Sequence, residues 1–206
     1  MIHRIDHPLI ADRLTQLRDR DCEPGRFRQL VEQVARLMVP IVTADLESLP
    51  ATVHTPLETA EGRRLRHDLI LVPILRAGLG LAEGFLSLLP EARVAHIGLA
   101  RDETTLEPAT YYYNAPVNLP DAEVLVVDPM LATGGSAIET LRKLKEQGAK
   151  RLRFVCLVAC PEGIERLESK YPEVPVYAAA IDRQLDERGY IRPGLGDAGD
   201  RIFGTI

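Results

Sequence analysis

The stretch Ala122-Glu123-Val124-Leu125-Val126-Val127, running straight into Asp128-Pro129-Met130-Leu131-Ala132-Thr133-Gly134-Gly135-Ser136, decides the fold. Its first part is a short apolar run, the pattern of a strand buried on both faces of a parallel sheet. That strand delivers Asp128 to its carboxyl end. Thr133 to Ser136 then make a tight turn into a helix that carries Ile138, Leu141 and Leu144 on one face. Glycines let such a backbone approach an anion closely, and the free amides and dipole of the first helical turn favour a phosphate there. Thr133 and Ser136 can add hydroxyl donors. No Gly-Lys-Ser/Thr follows at the spacing of a nucleoside-triphosphate loop. Gly134-Gly135 alone would suit an ordinary turn, but the preceding acid and the flanking hydroxyls argue for a phosphate cradle.

Working outward, Asp68 to Leu75, Val94 to Leu99, Arg153 to Ala159 and Val174 to Ala180 read as further buried strands. Helices are expected over 8–20, from Pro24 onward, over Leu79–Leu89 and over Pro161–Lys170. Phe27, Leu30, Val31, Val34, Leu37, Met38 and Ile41 form a packing stripe at three- and four-residue spacing. Residues 101–120 are polar, Pro-punctuated and aromatic, and suggest a β-hairpin excursion around Tyr111–Tyr113. The Gly-rich end suggests an irregular tail. Alternating strands and helices predict an α/β fold with a doubly wound, mostly parallel sheet flanked by helices, whose ligands sit at the carboxyl ends of the strands.

The chain has 206 residues, 46% of them hydrophobic and 27% charged, which suits one globular α/β domain. A net charge of −5 argues against a nucleic-acid-binding protein. The first residues lack the apolar core of a signal peptide, and no run approaches the roughly 20 apolar residues of a membrane span. A cytoplasmic protein with no membrane partner is the expectation. Cys22, Cys156 and Cys160 do not read as a disulfide framework. Cys156 and Cys160 look like buried thiols sharing one face. The five histidines show no metal-ligand spacing, so no dedicated protein metal ligands are expected.

Two further segments carry chemistry. Pro73-Ile74-Leu75-Arg76-Ala77-Gly78-Leu79-Gly80 begins like a dinucleotide fingerprint, but Glu83 stands where its third small residue belongs. Arg76 at that loop mouth is suited to bidentate contact with phosphate oxygens. Gly189-Tyr190-Ile191-Arg192-Pro193-Gly194-Leu195-Gly196-Asp197-Ala198-Gly199-Asp200 is dense in glycine and without a core pattern.

Val126 to Ser136 resembles the phosphoribosyl diphosphate motif of type I phosphoribosyltransferases. Pro129, where most of that superfamily has a second acid, resembles the uracil phosphoribosyltransferase family in particular. The resemblance implies pyrimidine salvage: uracil and 5-phospho-α-D-ribose 1-diphosphate give UMP and diphosphate, with Mg²⁺ as cofactor. It places Asp128 at the ribose hydroxyls as the catalytic residue. Asp128, Pro129, Met130, Leu131, Ala132, Thr133, Gly134, Gly135, Ser136 and Asp197 would bind the phosphoribosyl diphosphate, with Arg76 and Arg101 on its diphosphate. Ile191, Gly196, Asp197 and Ala198 would read uracil in a small C-terminal base-binding hood. It divides one phosphoribosyltransferase domain, 1–206, into N-terminal helices (1–45), core sheet (68–180) and base-binding segment (181–206). It also implies a homo-oligomer, dimer or higher, and a GTP effector as in some relatives. Purine-specific phosphoribosyltransferases usually keep the paired acids, and the acidic balance weighs against an RNA-binding regulator on this fold.

Overall fold

Apolar runs without a polar face belong in the middle of a sheet, and the chain puts them there. The computed structural model describes residues 1–101 and 108–205. In chain order, β1 (Ile2–Arg4), α1 (Pro8–Arg18) and α2 (Pro24–Val42) precede a hairpin of β2 (Ser48–His54) and β3 (Thr59–Leu65). Next come β4 (Leu69–Leu75), α3 (Leu79–Leu86), β5 (Arg93–Val94), β6 (His96–Arg101) and β7 (Pro108–Asn114). β8 (Glu123–Val127), β9 (Met130–Leu131), α4 (Gly135–Glu146), β10 (Arg151–Ala159) and α5 (Pro161–Lys170) make the central unit. β11 (Val176–Ile181), β12 (Gln184–Leu185), β13 (Ile191–Arg192) and α6 (Ala198–Phe203) follow.

The main sheet runs β1-β11-β10-β8-β4-β6-β7, with β5 beside β4 and β9 beside β10. Its pairs are parallel except β6–β7, which is antiparallel. Side chains alternate between two cores, as the two-residue period of a strand requires. Leu71, Leu125, Val127 and Val155 share one core with Leu14 of α1, Phe27 and Leu30 of α2 and Leu81 of α3. Ile70, Val72, Val124, Val126 and Phe154 share the other with Leu141 of α4 and Ile164 and Leu167 of α5. Helices therefore cover both faces of a mostly parallel sheet, the doubly wound architecture expected from sequence.

The excursion around Tyr111–Tyr113 is a hairpin arm, as expected, and several other expectations need correction. Tyr111–Tyr113 lie inside β7, paired with β6 so that Tyr112 faces Gly98 and Tyr113 faces Ile97. The connection at 102–107 lies outside the described residues. On α4 the buried face is Ala137, Thr140, Leu141 and Leu144, and Ile138 stands one position round the helix from it. The fifth long strand begins at Val176 rather than Val174, and α3 stops at Leu86. The end of the chain is not irregular, because β12 and β13 pair antiparallel and α6 follows. Strand β1 and the β2–β3 hairpin were not anticipated. The hairpin has no buried residue, so it leaves no apolar alternation to read.

Cys156 and Cys160 do not share a face: Cys156 belongs to the second core and Cys160 to the first. Leu157 and Val158 both belong to the first core, and both amides donate to the Pro129 carbonyl, at 3.0 and 3.1 Å. Strand alternation slips by one residue at that point.

Helix α5 comes very close to the 131–132 backbone through Gly163. A Cβ there would sit 2.3 Å from the Ala132 oxygen and 2.6 Å from the Leu131 oxygen. Helix propensity alone would make Gly163→Ala stabilising by about 1 kcal/mol, whereas overpacking costs about 1–3 kcal/mol. Urea unfolding of Gly163→Ala should therefore show a net loss of stability. A gain would mean that the 131–132 backbone yields.

Candidate active site

Asp128 stands at the carboxyl edge of β8, its amide donating to the Val155 carbonyl at 3.1 Å. The carbonyls that follow are taken up by the scaffold behind them. Pro129 O accepts from β10, Leu131 O accepts from the Cys160 amide at 3.3 Å, and the Arg166 guanidinium reaches Thr133 O at 3.2 Å. The Cys160 thiol lies 3.2 Å from Ala132 O. Gly134 then adopts the left-handed conformation, φ 77°, which favours glycine. Helix α4 starts from it with no side-chain cap, apart from a long 3.5 Å contact between the Gly135 amide and Thr133 Oγ1. Its first-turn amides have no acceptor within the helix and can serve an anion.

Burial pushes the Asp128 carboxyl up to about 7, opposed by a hydrogen bond from the Met130 amide. The adjacent Cys156 thiol is raised well beyond the usual thiol range, by burial first and by the Asp128 charge second. Burial also lifts Cys160 to about 11. Both are protonated core thiols rather than nucleophiles.

The loop after β4 supplies the opposite wall. The peptide between Leu75 and Arg76 is cis. Gly78 packs against the strand ends, where a Cβ would lie 2.6 Å from the Ile74 nitrogen and 2.6 Å from the Val127 oxygen. Gly80 sits under Ile202, with a Cβ position 2.9 Å from that side chain. These glycines serve close packing, which accounts for the partial dinucleotide fingerprint. The exposed Arg76 guanidinium lies 3.3 Å from the Asp200 carboxylate and 5.7 Å from the centre of the Phe203 ring.

The C-terminal segment closes the third side. Asp197 caps α6, accepting from the Asp200 amide at 2.9 Å. Asp128, Met130 and Ala132 from the cradle line one pocket of about 210 Å³ together with Ile191, Gly196, Asp197 and Ala198. Arg76 adjoins it through its neighbour Ala77, which lines the same pocket. Pro129 and Leu131 are buried beneath the cradle, and Thr133 to Ser136 form its turn into α4. Arg101 ends β6, but its side chain lies outside what is described. Tyr190, Gly189 and Gly199 also line the pocket and were not singled out from sequence. The signal for Tyr190 was a lone half-exposed aromatic inside a glycine-rich run.

Comparison with known proteins bears on the family and the fold. The family model described as uracil phosphoribosyltransferase matches residues 4–205. A uracil phosphoribosyltransferase from Dictyoglomus turgidum is 52% identical over 206 residues, covering 100% of both chains. A solved structure of an Aquifex aeolicus protein superposes with a TM-score of 0.94 at 35% identity, covering 100% of this chain and 99% of that one. An adenine phosphoribosyl transferase from Trypanosoma brucei, solved with AMP, pyrophosphate and ribose-5-phosphate, shares the fold at TM-score 0.52 and 14% identity, over 74% of this chain and 65% of its own. A family match over residues 4–205, joined to a relative 52% identical over the whole chain, places this chain in the uracil phosphoribosyltransferase family.

Proposed function

We infer that this chain, as a member of that family, transfers the phosphoribosyl group of 5-phospho-α-D-ribose 1-diphosphate to N1 of uracil, giving UMP and diphosphate in pyrimidine salvage. The observation that carries this reading is the single pocket in which Asp128 and the cradle face the backbone of 191–198. The bond from N1 to C1′ forms as the bond from C1′ to diphosphate breaks, and the N1 proton is lost either through water or before attack. Residues 132–136 hold the 5′-phosphate on the uncapped start of α4, with Pro129, Met130 and Leu131 shaping the loop. Asp128 meets the ribose hydroxyls and the positive charge that develops on the sugar. Arg76 and Arg101 take the diphosphate, and Asp197 the phosphoribosyl side. The backbone of Ile191, Gly196 and Ala198 complements the carbonyl–NH–carbonyl edge of uracil. Cytosine would bring an amino donor against a protein donor, a mismatch that a buried site rejects strongly. Residues 1–206 act as one domain in the cytoplasm. No helix among the described residues is long and apolar enough to cross a membrane.

Mg²⁺ fits this donor set. Asp128 and Asp197 offer hard oxygen ligands to the same pocket, and among the described residues no three His, Cys, Asp or Glu side chains form a protein cage. The ion would be held chiefly by oxygens of the diphosphate donor, with Asp128 or Asp197 alongside. Bound there, it neutralises charge on the leaving diphosphate.

We also propose a homo-oligomer, dimer or higher. The β2–β3 hairpin exposes Leu49, Val53, Leu57 and Leu65, and a lone two-stranded hairpin is marginal in water. A second copy of the chain is the partner that would cover it. Light scattering should show a dimer or larger species, and Leu49→Glu with Leu65→Glu should shift it toward monomer. A monomeric wild type would end that reading.

UMP formation from uracil, the diphosphate donor and Mg²⁺ is the direct test. Turnover with purines or orotate but not uracil would overturn the substrate assignment. The same assay with and without GTP tests the effector that the family resemblance implies.

Asp128→Asn separates catalysis from folding. It should cut turnover by about a hundredfold or more, the scale of losing an electrostatic contact to the transition state. Its effect on stability has the opposite sign. The folded carboxyl holds its proton up to about pH 7, well above the ordinary carboxylate value of 3.8. Stability of the unsubstituted protein should thus fall as pH rises from about 4 to 7, by at most a few kcal/mol, then level off. The Asn variant should lack that slope in urea titrations across this range. Normal turnover in Asp128→Asn would remove its assigned role.

A further inference from the structure

We propose that Arg18 and Asp182 are positioning residues for the pyrimidine-reading backbone, so that the end of the N-terminal helix sets affinity and selectivity for the base. The proposal rests on the assignment of uracil to residues 191–198 made above. A base read by backbone amides cannot be tuned by exchanging the reading groups. It can be tuned only through what holds that backbone still.

Arg18 is the last residue of α1, and its guanidinium makes a two-pronged pair with Asp182, at 2.7 and 2.7 Å. Asp182 follows β11 and is only 8% exposed, so the pair is largely shielded from water. Both partners also grip Gly194. Its amide donates to Asp182 Oδ2 at 2.8 Å, and its carbonyl accepts from Arg18 Nη1 at 2.9 Å. Gly194 has φ 62°, and a Cβ on it would sit 2.1 Å from the Ile191 oxygen. Gly194, between Ile191 and Gly196, is thus held at its amide and its carbonyl by one charge pair whose carboxylate is buried and whose guanidinium is partly exposed.

A second tie runs the other way. Arg201 of α6 donates to Leu17 O at 2.7 Å and to Leu195 O at 2.9 Å. Its guanidinium also bonds Asp19 O and lies 4.3 Å from the centre of the Phe27 ring. Three consecutive residues at the end of α1, Leu17 to Asp19, therefore clamp the stretch from Gly194 to α6. None of them lines the pocket, so their influence on the base passes through the loop they hold.

The test uses steady-state kinetics of the full chain, varying uracil at saturating donor and donor at saturating uracil. Arg18→Lys keeps the charge but replaces a planar fork by a point donor. Asp182→Asn keeps an acceptor for the Gly194 amide but loses the charge. Arg18→Gln with Asp182→Asn leaves no lone buried charge and keeps the measurement possible if a single variant folds poorly. Each should raise the KM for uracil by about tenfold, the scale of losing a charged hydrogen bond. The KM for the diphosphate donor should stay within about twofold, and preference for uracil over cytosine should fall. If both KM values rise together, if neither moves, or if all three variants fail to fold, the pair is a stability element and the inference is wrong. If the unsubstituted protein makes no UMP, the assignment of the base site itself has failed, and this inference with it.

Discussion

A carbonyl buried in a protein has to find a donor, and the loop from Pro129 to Thr133 finds its donors behind it, in β10 and α5. The rest of the site depends on that. Because β10 supplies two amides to one carbonyl, its side-chain alternation slips at Leu157 and Val158. Because α5 must come close to the loop, residue 163 has no room for a side chain. With its carbonyls engaged at the back, the loop turns through a left-handed Gly134 and begins α4 uncapped. A phosphate at the start of α4, as proposed above, would need no dedicated lysine. That uncapped start is a consequence of how strand, loop and helix satisfy their own polar groups.

The two halves of the pocket are stabilised differently. The cradle hangs from strands in the middle of the sheet, where Val124, Val126 and Phe154 are fully buried. The C-terminal half has little core of its own. Ile191, Leu195, Ala198 and Ile202 are buried, and full burial contributes about 1.5–3 kcal/mol for each larger aliphatic side chain. Against that stands the ordering of a glycine-rich stretch, which costs more backbone entropy than any other composition. Polar ties from Arg18 and Arg201 add to the little core there, and both tie this segment to the end of α1, so that the first helix and the last hold the C-terminal side of the pocket together.

The central strands were legible because a strand buried on both faces has one recognisable pattern, and Leu69–Leu75 and Glu123–Val127 carry it. The cradle was legible for a related reason: an acid at a strand end followed by Thr-Gly-Gly-Ser has few other uses. What escaped was structure whose determinants lie elsewhere in the chain. The β2–β3 hairpin has no residue buried against its own chain and so shows no periodicity. The stretch from Gly194 to α6 is ordered by arginines at positions 18 and 201 and by an aspartate at 182, which no local window connects. The short β12–β13 hairpin is held by Asp186 against Tyr190 and Arg192, too few residues to show a period. Tyr111–Tyr113 have strong strand propensity, which pointed to the hairpin, but their register against β6 depends on Ile97 and Gly98 and could not be read locally. The slip at Leu157 and Val158, which sends Cys156 and Cys160 to opposite cores, follows from hydrogen bonds to Pro129 and not from either cysteine's neighbours.

A single acid at the strand end has an electrostatic consequence. With Pro129 next to it in the chain, Asp128 has no adjacent second acid, and desolvation raises it to about 7 against the opposing hydrogen bond from the Met130 amide. Near neutral pH such a group is poised between its two charge states. A positive charge arriving next to it favours the carboxylate, and the favour is mutual. In the role proposed for Asp128, the charge on the sugar is small in the bound donor and large at the transition state. Interaction with the carboxylate therefore grows along the reaction, and an interaction that grows along the reaction is the kind that accelerates it. On that proposal, the stability that the fold gives up to enclose an ionisable group here is the ground on which the carboxylate can meet a charge that appears only at the transition state.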